Sequence, residues 1–226
     1  MECSAWWNSD TTDAPLLRTV AGLSLWAMSS SSSSSDVAFT PAVKKLQTER
    51  GSREAYARGG FRTEIDDRLR GFLEEVDTAF LATASAEGQP YVQHRGGPRG
   101  FIRALDDRTL GFVELSGNRQ YVSEGNLSEN ERVALILMDY AHRRRVKIWG
   151  RARVVAATPE LLSQFPTPPP KARPVQVMLV GVTAWDANCP QHIPMKLDAE
   201  DVAAAVARMQ ARIEELEEEN RKLRAP

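Results

Sequence analysis

Hydrophobic positions along this chain change period from helical to strand-like and back again. Thr40-Pro41 reads as an N-cap followed by proline at the first helical position, which predicts a helix through about Gln47, and Ser52–Arg58 adds a further turn or two. Ile65, Leu69, Phe72 and Leu73 then fall on one face of a helix opened by the capping pattern Thr63-Glu64-Ile65-Asp66. From Ala79 the period drops to two. Ala79–Ser85 and Pro90–Arg95 predict a hairpin through Ala86-Glu87-Gly88-Gln89, and Phe101–Leu105 with Thr109–Leu115 flank a tight Asp106-Asp107-Arg108 turn. A short helix is expected over Arg119–Asn130 with Asn118 as its N-cap. Val133–Tyr140 is a nearly continuous apolar strand. Val146–Val155 alternates, with Val146, Ile148 and Gly150 on one face and Lys147, Trp149 and Arg151 on the other. A small helix at Pro159–Phe165, an extended connector at Pro166–Pro174 and a strand at Val175–Ala184 complete the pattern. Successive antiparallel strands with short turns predict a mainly β fold with flanking helices, a closed or partly closed barrel rather than a doubly wound sheet.

Composition narrows the setting. The chain has 226 residues, 29 Lys+Arg against 30 Asp+Glu and 42% hydrophobic content, enough for one ordinary core. A pI near 6.3 argues against nucleic acid as a partner. Cys3 and Cys189 stand far apart in the sequence, so a disulfide framework is not expected and a cytoplasmic setting is the simpler one. No stretch reaches the roughly 18 apolar residues of a membrane span. Residues 1–38 are expected to be a disordered or artefactual tail. Leu16–Ala27 is interrupted by Arg18 and preceded by acidic residues, unlike a secretory signal. Ser29–Ser35 has no apolar surface to bury, and Met28 directly before it offers a second translation start. The expected domain then runs over 39–197, followed by a C-terminal helix over 198–226.

Three Gly- and Arg-containing turns carry the chemistry: Gln93-His94-Arg95-Gly96-Gly97, Ser116-Gly117-Asn118-Arg119-Gln120 and Arg143-Arg144-Arg145. Brought together at strand ends, they would form a compact pocket for a small anion, with glycine allowing close backbone approach. That points to a phosphate-bearing ligand or cofactor. Cys189 and His192 lack a second pair of ligands, so no metal site is expected.

The order of Gln-His-Arg-Gly-Gly, a strand, Gly-Asn-Arg-Gln-Tyr, a helix, an apolar strand and Arg-Arg-Arg-Val-Lys-Ile-Trp-Gly resembles the FMN-binding split barrels related to pyridoxamine 5'-phosphate oxidase. The similarity covers about Phe39–Pro194. Trp185-Asp186-Ala187-Asn188-Cys189-Pro190-Gln191-His192-Ile193 resembles a signature of an uncharacterised branch of that superfamily. The resemblance implies a homodimer with FMN at the subunit interface. It also implies cofactor contacts from Gln93, His94, Arg95, Gly96, Val113, Glu114, Asn118, Arg119, Gln120 and Arg145. The family's Ser-Arg-Lys phosphate turn falls on Asn118-Arg119-Gln120, which keeps the arginine and replaces the lysine. Trp185, Asn188, Gln191 and His192 become candidates for the substrate or flavin edge. No Arg-x-His element follows Trp185, so pyridoxamine 5'-phosphate itself is not the expected substrate. The expected function is oxidation or reduction of a small molecule with a separate electron donor, with the catalytic residues unknown. Two alternatives remain open: a non-catalytic flavin carrier or sensor, and a haem-binding module whose imidazoles would be His94, His142 and His192.

Beyond the barrel, Val202, Val206, Met209, Ile213, Leu216, Asn220 and Leu223 recur at alternating four- and three-residue steps. That is a heptad seam, compatible with an intersubunit coiled coil or with one amphipathic helix lying on its own barrel. At the other end, a chain begun at Met28, or even at Asp36, is expected to keep its melting temperature and flavin content, measured by thermal unfolding and absorbance.

Overall fold

The computed structural model describes residues 33–188 and 190–224. Most of the expected tail and Cys189 lie outside the described residues. Those described fall into two compact units, 33–139 with 145–188 and 140–144 with 190–224.

In the first unit, the end of the serine run is folded, contrary to the expected tail boundary at 38. Ser34–Val37 forms a 3-10 helix, Ser35 is buried, and the Ser34 hydroxyl donates to the Phe61 carbonyl at 2.5 Å. Small hydroxyl side chains can enter a tight site when a carbonyl accepts from them, which a compositional reading of serine runs overlooks. A start at Asp36 would therefore remove folded residues.

Helix α1 (Pro41–Glu49) is capped as expected by Thr40, whose Oγ1 accepts from Val43 N–H, and α2 is Arg53–Ala57. Helix α3 (Asp67–Glu75) starts later than the Thr63 pattern suggests, because Asp66 is the cap and accepts from Leu69 N–H. The Ile65 N–H is committed instead to the Asp107 carbonyl at 2.7 Å, which holds that segment extended. Leu69, Phe72 and Leu73 are all buried, so the apolar stripe packs into the main core as its periodicity implies.

The strands are β1 (Thr78–Ala84), β2 (Pro90–Gly96), β3 (Ile102–Ala104), β4 (Thr109–Leu115), β5 (Arg132–Asp139), β6 (Arg144–Ala156) and β7 (Pro174–Asn188). They form one seven-stranded sheet in the order β2-β1-β5-β6-β7-β4-β3, the split β-barrel arrangement with flanking helices. The β1–β2 turn closes with Gly88 at φ 89°, a left-handed position suited to glycine. Asp106 accepts from the N–H groups of Arg108 and Thr109, which fixes the β3–β4 turn. β7 pairs with β6 along one edge and β4 along the other, with a register shift at Trp149/Gly150. Helix α5 (Pro159–Leu162) precedes the extended connector.

Helix α4 (Val122–Glu129) departs most from expectation. Asn118 is not its cap. The Asn118 side chain instead accepts from Gln120 N–H at 3.2 Å, and Arg119 and Tyr121 both take positive φ, 60° and 54°. Two left-handed residues cannot continue a helix, so its start slips to Val122.

In the second unit, the Lys196 ammonium lies 4.5 Å from the Tyr140 ring centroid, and Lys196 N–H donates to the Tyr140 carbonyl. Helix α6 (Ala199–Arg224) follows and buries no residue.

Two glycines predict opposite stability effects. A Cβ on Gly150 would overlap the Gly181 carbonyl oxygen across β6–β7, so Gly150→Ala should destabilise by about 1–3 kcal/mol. A methyl group on Gly71, exposed inside α3, would meet nothing within 4 Å, so Gly71→Ala should stabilise by about 0.5–1 kcal/mol. Urea unfolding of the two variants checks both signs.

Candidate functional site

The carboxyl end of β4 runs directly into the loop before α4, and this junction builds a cleft. Tyr91, Gln93 and Arg95 of β2 line one side, Glu114 of β4 and Gln176 of β7 another, and the 116–121 loop with Val122, Ser123 and Glu124 closes the end. Its volume is about 260 Å³. Strand alternation explains which β2 residues take part: Gln93 and Arg95 share the half-buried face, whereas His94 and Gly96 fall on the exposed one. The His94 ring meets Phe80 edge-on at 5.6 Å.

The loop end of the cleft is rich in donors. The N-cap residue Tyr121 makes no side-chain cap bond, so the start of α4 borders the cleft without that usual partner among the described residues. Arg119 and Gln120 stand beside it, in a loop where Arg119 and Tyr121 are both left-handed. Below the helix start, the buried Ser123 hydroxyl donates to Gln93 Oε1 at 3.1 Å, and Gln176 Nε2 donates to Glu124 Oε2 at 3.2 Å.

Of the expected cofactor contacts, the structure brings Gln93, Arg95, Glu114, Asn118, Arg119 and Gln120 together in this cleft. Val113 lies beside it in a smaller apolar recess with Gly96 and Phe165. Arg145 is not among the lining residues; it sits at the opposite end of β6, in register with Asn188 of β7. Trp185 is fully buried, donates its indole N–H to the Glu64 carbonyl at 2.7 Å and carries the Arg62 guanidinium 4.8 Å from its ring. Trp149 stacks on Phe61, centroids 5.0 Å apart. Gln191 and His192 are exposed in the second unit, with His192 at φ 65°. Sequence reasoning missed Tyr91, Ser123, Glu124 and Gln176. The strand period of β2 signals Tyr91, two residues before Gln93; nothing local signals the others, which arrive through α4 and β7 pairing.

Arg95 and Glu114 form an ion pair at 2.9 Å, both side chains largely buried. The pairing is imperfect: Arg95 Nε and Glu114 Oε1 are buried without a satisfactory hydrogen bond. Burial pushes the Glu114 carboxyl above its ordinary value near 4.5, Arg95 pulls it down, and Glu124 adds a smaller upward push. A carboxyl raised in the folded state stabilises the fold below its unfolded value and loses that contribution as pH rises through the folded value. Glu114→Gln should thus gain melting temperature relative to the parent as pH rises from below 4.5 to neutrality. Parallel melting curves across that range test it; a constant difference would mean that the carboxyl does not titrate in this way.

Comparison with known proteins gives a family. Crystal structures similar to this chain include HupZ of Group A Streptococcus, with 16% identity, 58% of this chain and 99% of that one covered, and a TM-score of 0.40. HutZ, the haem storage protein from Vibrio cholerae, matches at 15% identity over 52% and 89%, with a TM-score of 0.36. General Stress Protein 26 from Bacillus anthracis matches at 12% identity over 52% and 88%, with a TM-score of 0.37. No curated protein sequence matches significantly. The family model described as pyridoxamine 5'-phosphate oxidase matches residues 65–189, which takes in the seven-stranded sheet and every residue lining the cleft, and the chain belongs to that family.

Proposed function

We propose that the cleft holds FMN and that the protein is a cytoplasmic FMN-dependent oxidoreductase acting on a small molecule, not a pyridoxamine 5'-phosphate oxidase in the strict sense. The observation that carries this reading is the uncapped α4 N-terminus beside Arg119. The first N–H groups of a helix without an N-cap side-chain bond, the positive end of its dipole and a guanidinium would form a dianion site, which a phosphate ester fits. Arg95 contributes less than its sequence position suggests, because Glu114 already neutralises it. Gln93 and Glu114 lie farther along the cleft, where their polar atoms suit the ribityl hydroxyls and the ring edge.

When bound, FMN supplies hydride or electron transfer at its ring, and the chain supplies binding, orientation and electrostatics. Glu114 matters to those electrostatics. Burial favours its neutral form and Arg95 its charged form, so the two act against each other at this wall of the cleft. At about 260 Å³ the cleft falls below the roughly 300–1,000 Å³ of complete small-molecule pockets, which supports completion by a second subunit in a homodimer. In that dimer, Gln191 and His192 of the partner subunit would approach the flavin edge and gate a small reducible substrate.

The absorbance spectrum of purified protein tests the cofactor. Flavin bands, with FMN as the released species, support the reading; a Soret band would overturn it in favour of haem binding. Turnover with nicotinamide donors separates an enzyme from a carrier. Arg119→Ala should weaken FMN roughly ten- to a hundredfold, the loss of about 1.5–3 kcal/mol from a charge-assisted bond, with a smaller effect for Arg95→Ala. Fluorescence titration of FMN measures both, and unchanged affinity in Arg119→Ala would remove the phosphate assignment.

A further inference from the structure

The C-terminal helix lies outside the family match, which ends at residue 189, and its sequence has a logic of its own. Helix α6 runs 26 residues, about 39 Å at the usual helical rise. None of its residues is buried. Val202, Val206, Met209, Ile213, Leu216 and Leu223 are 43%, 46%, 65%, 52%, 44% and 79% exposed, so the apolar positions of one long helix stand in solvent together. Helices in proteins take most of their stability from packing of an apolar face, and this face has no such packing within its own unit.

Periodicity and charge say what covers it. The seam follows steps of four and three, placing Val206, Ile213 and Asn220 at a and Val202, Met209, Leu216 and Leu223 at d of a heptad. The flanks are complementary to themselves. In a parallel pair, Arg212 at g faces Glu217 at e of the other helix, and Glu219 at g faces Arg224 at e. Asn220 chooses the direction. In a parallel pair its amide meets its own copy, whereas an antiparallel pair sets it against an apolar d residue and leaves it unsatisfied. Within the single helix Arg212 reaches Glu215 at 2.9 Å, and Glu218 takes Arg221 at 2.7 Å and Lys222 at 3.5 Å. Glu217, Glu219 and Arg224 have no ion pair among the described residues.

We propose that α6 forms a parallel two-stranded coiled coil with α6 of a second copy of this chain. The device is separate from the flavin cleft and does not depend on what that cleft binds. It would hold two barrels together through a contact that the family domain does not contain.

Site-directed crosslinking in the full-length chain tests it. With Cys3 and Cys189 replaced by serine, Val206→Cys and Leu216→Cys place single thiols at a and d, and Glu218→Cys places one at f, on the outer face. Under mild oxidation the first two should give disulfide-linked dimers and the third should not. Linking at neither seam position, equal linking at Glu218, or linking at one seam position alone would each overturn the parallel pair. Ile213→Asp in the full chain should raise the dimer dissociation constant at least tenfold by sedimentation, with the barrel's melting transition retained. A dimer equally tight at nanomolar concentration in that variant would refute a required zipper.

Discussion

Strand β7 is the member on which the first unit hangs. It runs 15 residues, bonds to β6 along one edge and β4 along the other, and so joins the two parts of the seven-stranded order. Two strands this long can stay paired in a strongly curved sheet only if the curvature is absorbed somewhere. Here the register shift falls at Trp149/Gly150, opposite the segment around Gly181. The backbones come so close that a side chain at Gly150 has no room, which makes the bend a property of sequence rather than of packing alone. Beyond the bend, Trp185 is tied down by a backbone bridge to Arg62 and by its indole bond to Glu64, so the segment before α3 is also registered on β7.

The same strand order produces the cleft. β2 and β4 sit toward opposite edges of the sheet order, yet Arg95 and Glu114 form an ion pair, so the sheet curls far enough for its two edges to approach. The pair is buried and incompletely hydrogen-bonded, an arrangement that contributes little net stability compared with apolar side chains of similar size. Its value lies in what it does to the cleft. It places a charge-compensated cation and a carboxyl whose neutral form is favoured by burial next to the 116–121 loop, where Gln120 N–H is held by Asn118 and Arg119 supplies a further cation. Charge for an anion is then concentrated at the α4 end, and the β2–β4 end is polar without being strongly cationic.

Much of this architecture was legible in the sequence because it rests on local rules. Period-two alternation located β1, β2, β4 and β6 almost to the residue, and Asp106 and Gly88 announced their turns. The errors share a different cause. Thr63 lost the start of α3 to Asp66 because a long-range bond from Ile65 to Asp107 holds the intervening backbone extended. Asn118 lost the start of α4 because Arg119 and Tyr121 are forced into left-handed conformations that their residue types do not advertise. Ser34 and Ser35 read as tail in the sequence because the carbonyl that receives Ser34 is 27 residues away. In the cleft, motif positions on β2, β4 and the loop could be found by spacing, but Glu124 and Gln176 enter only through tertiary pairing.

The two groups of residues singled out by the sequence occupy different ends of one strand, and that separation bears on assembly. Gln176 of β7 lines the cleft, whereas Trp185 and Asn188 lie nine and twelve positions farther along. Twelve residues amount to about 40 Å of strand, more than any side chain spans. Arg145, in register with Asn188, is equally remote. Within one chain these residues cannot converge on the ligand that Arg119 would hold. In the proposed dimer a two-fold axis would ease this constraint, since an isologous contact lets residue i of one subunit meet residue j of its mate while j meets i. The small volume of the cleft and the placement of the remaining candidates therefore both favour the proposed dimer, in which the cleft would be one half of a shared site.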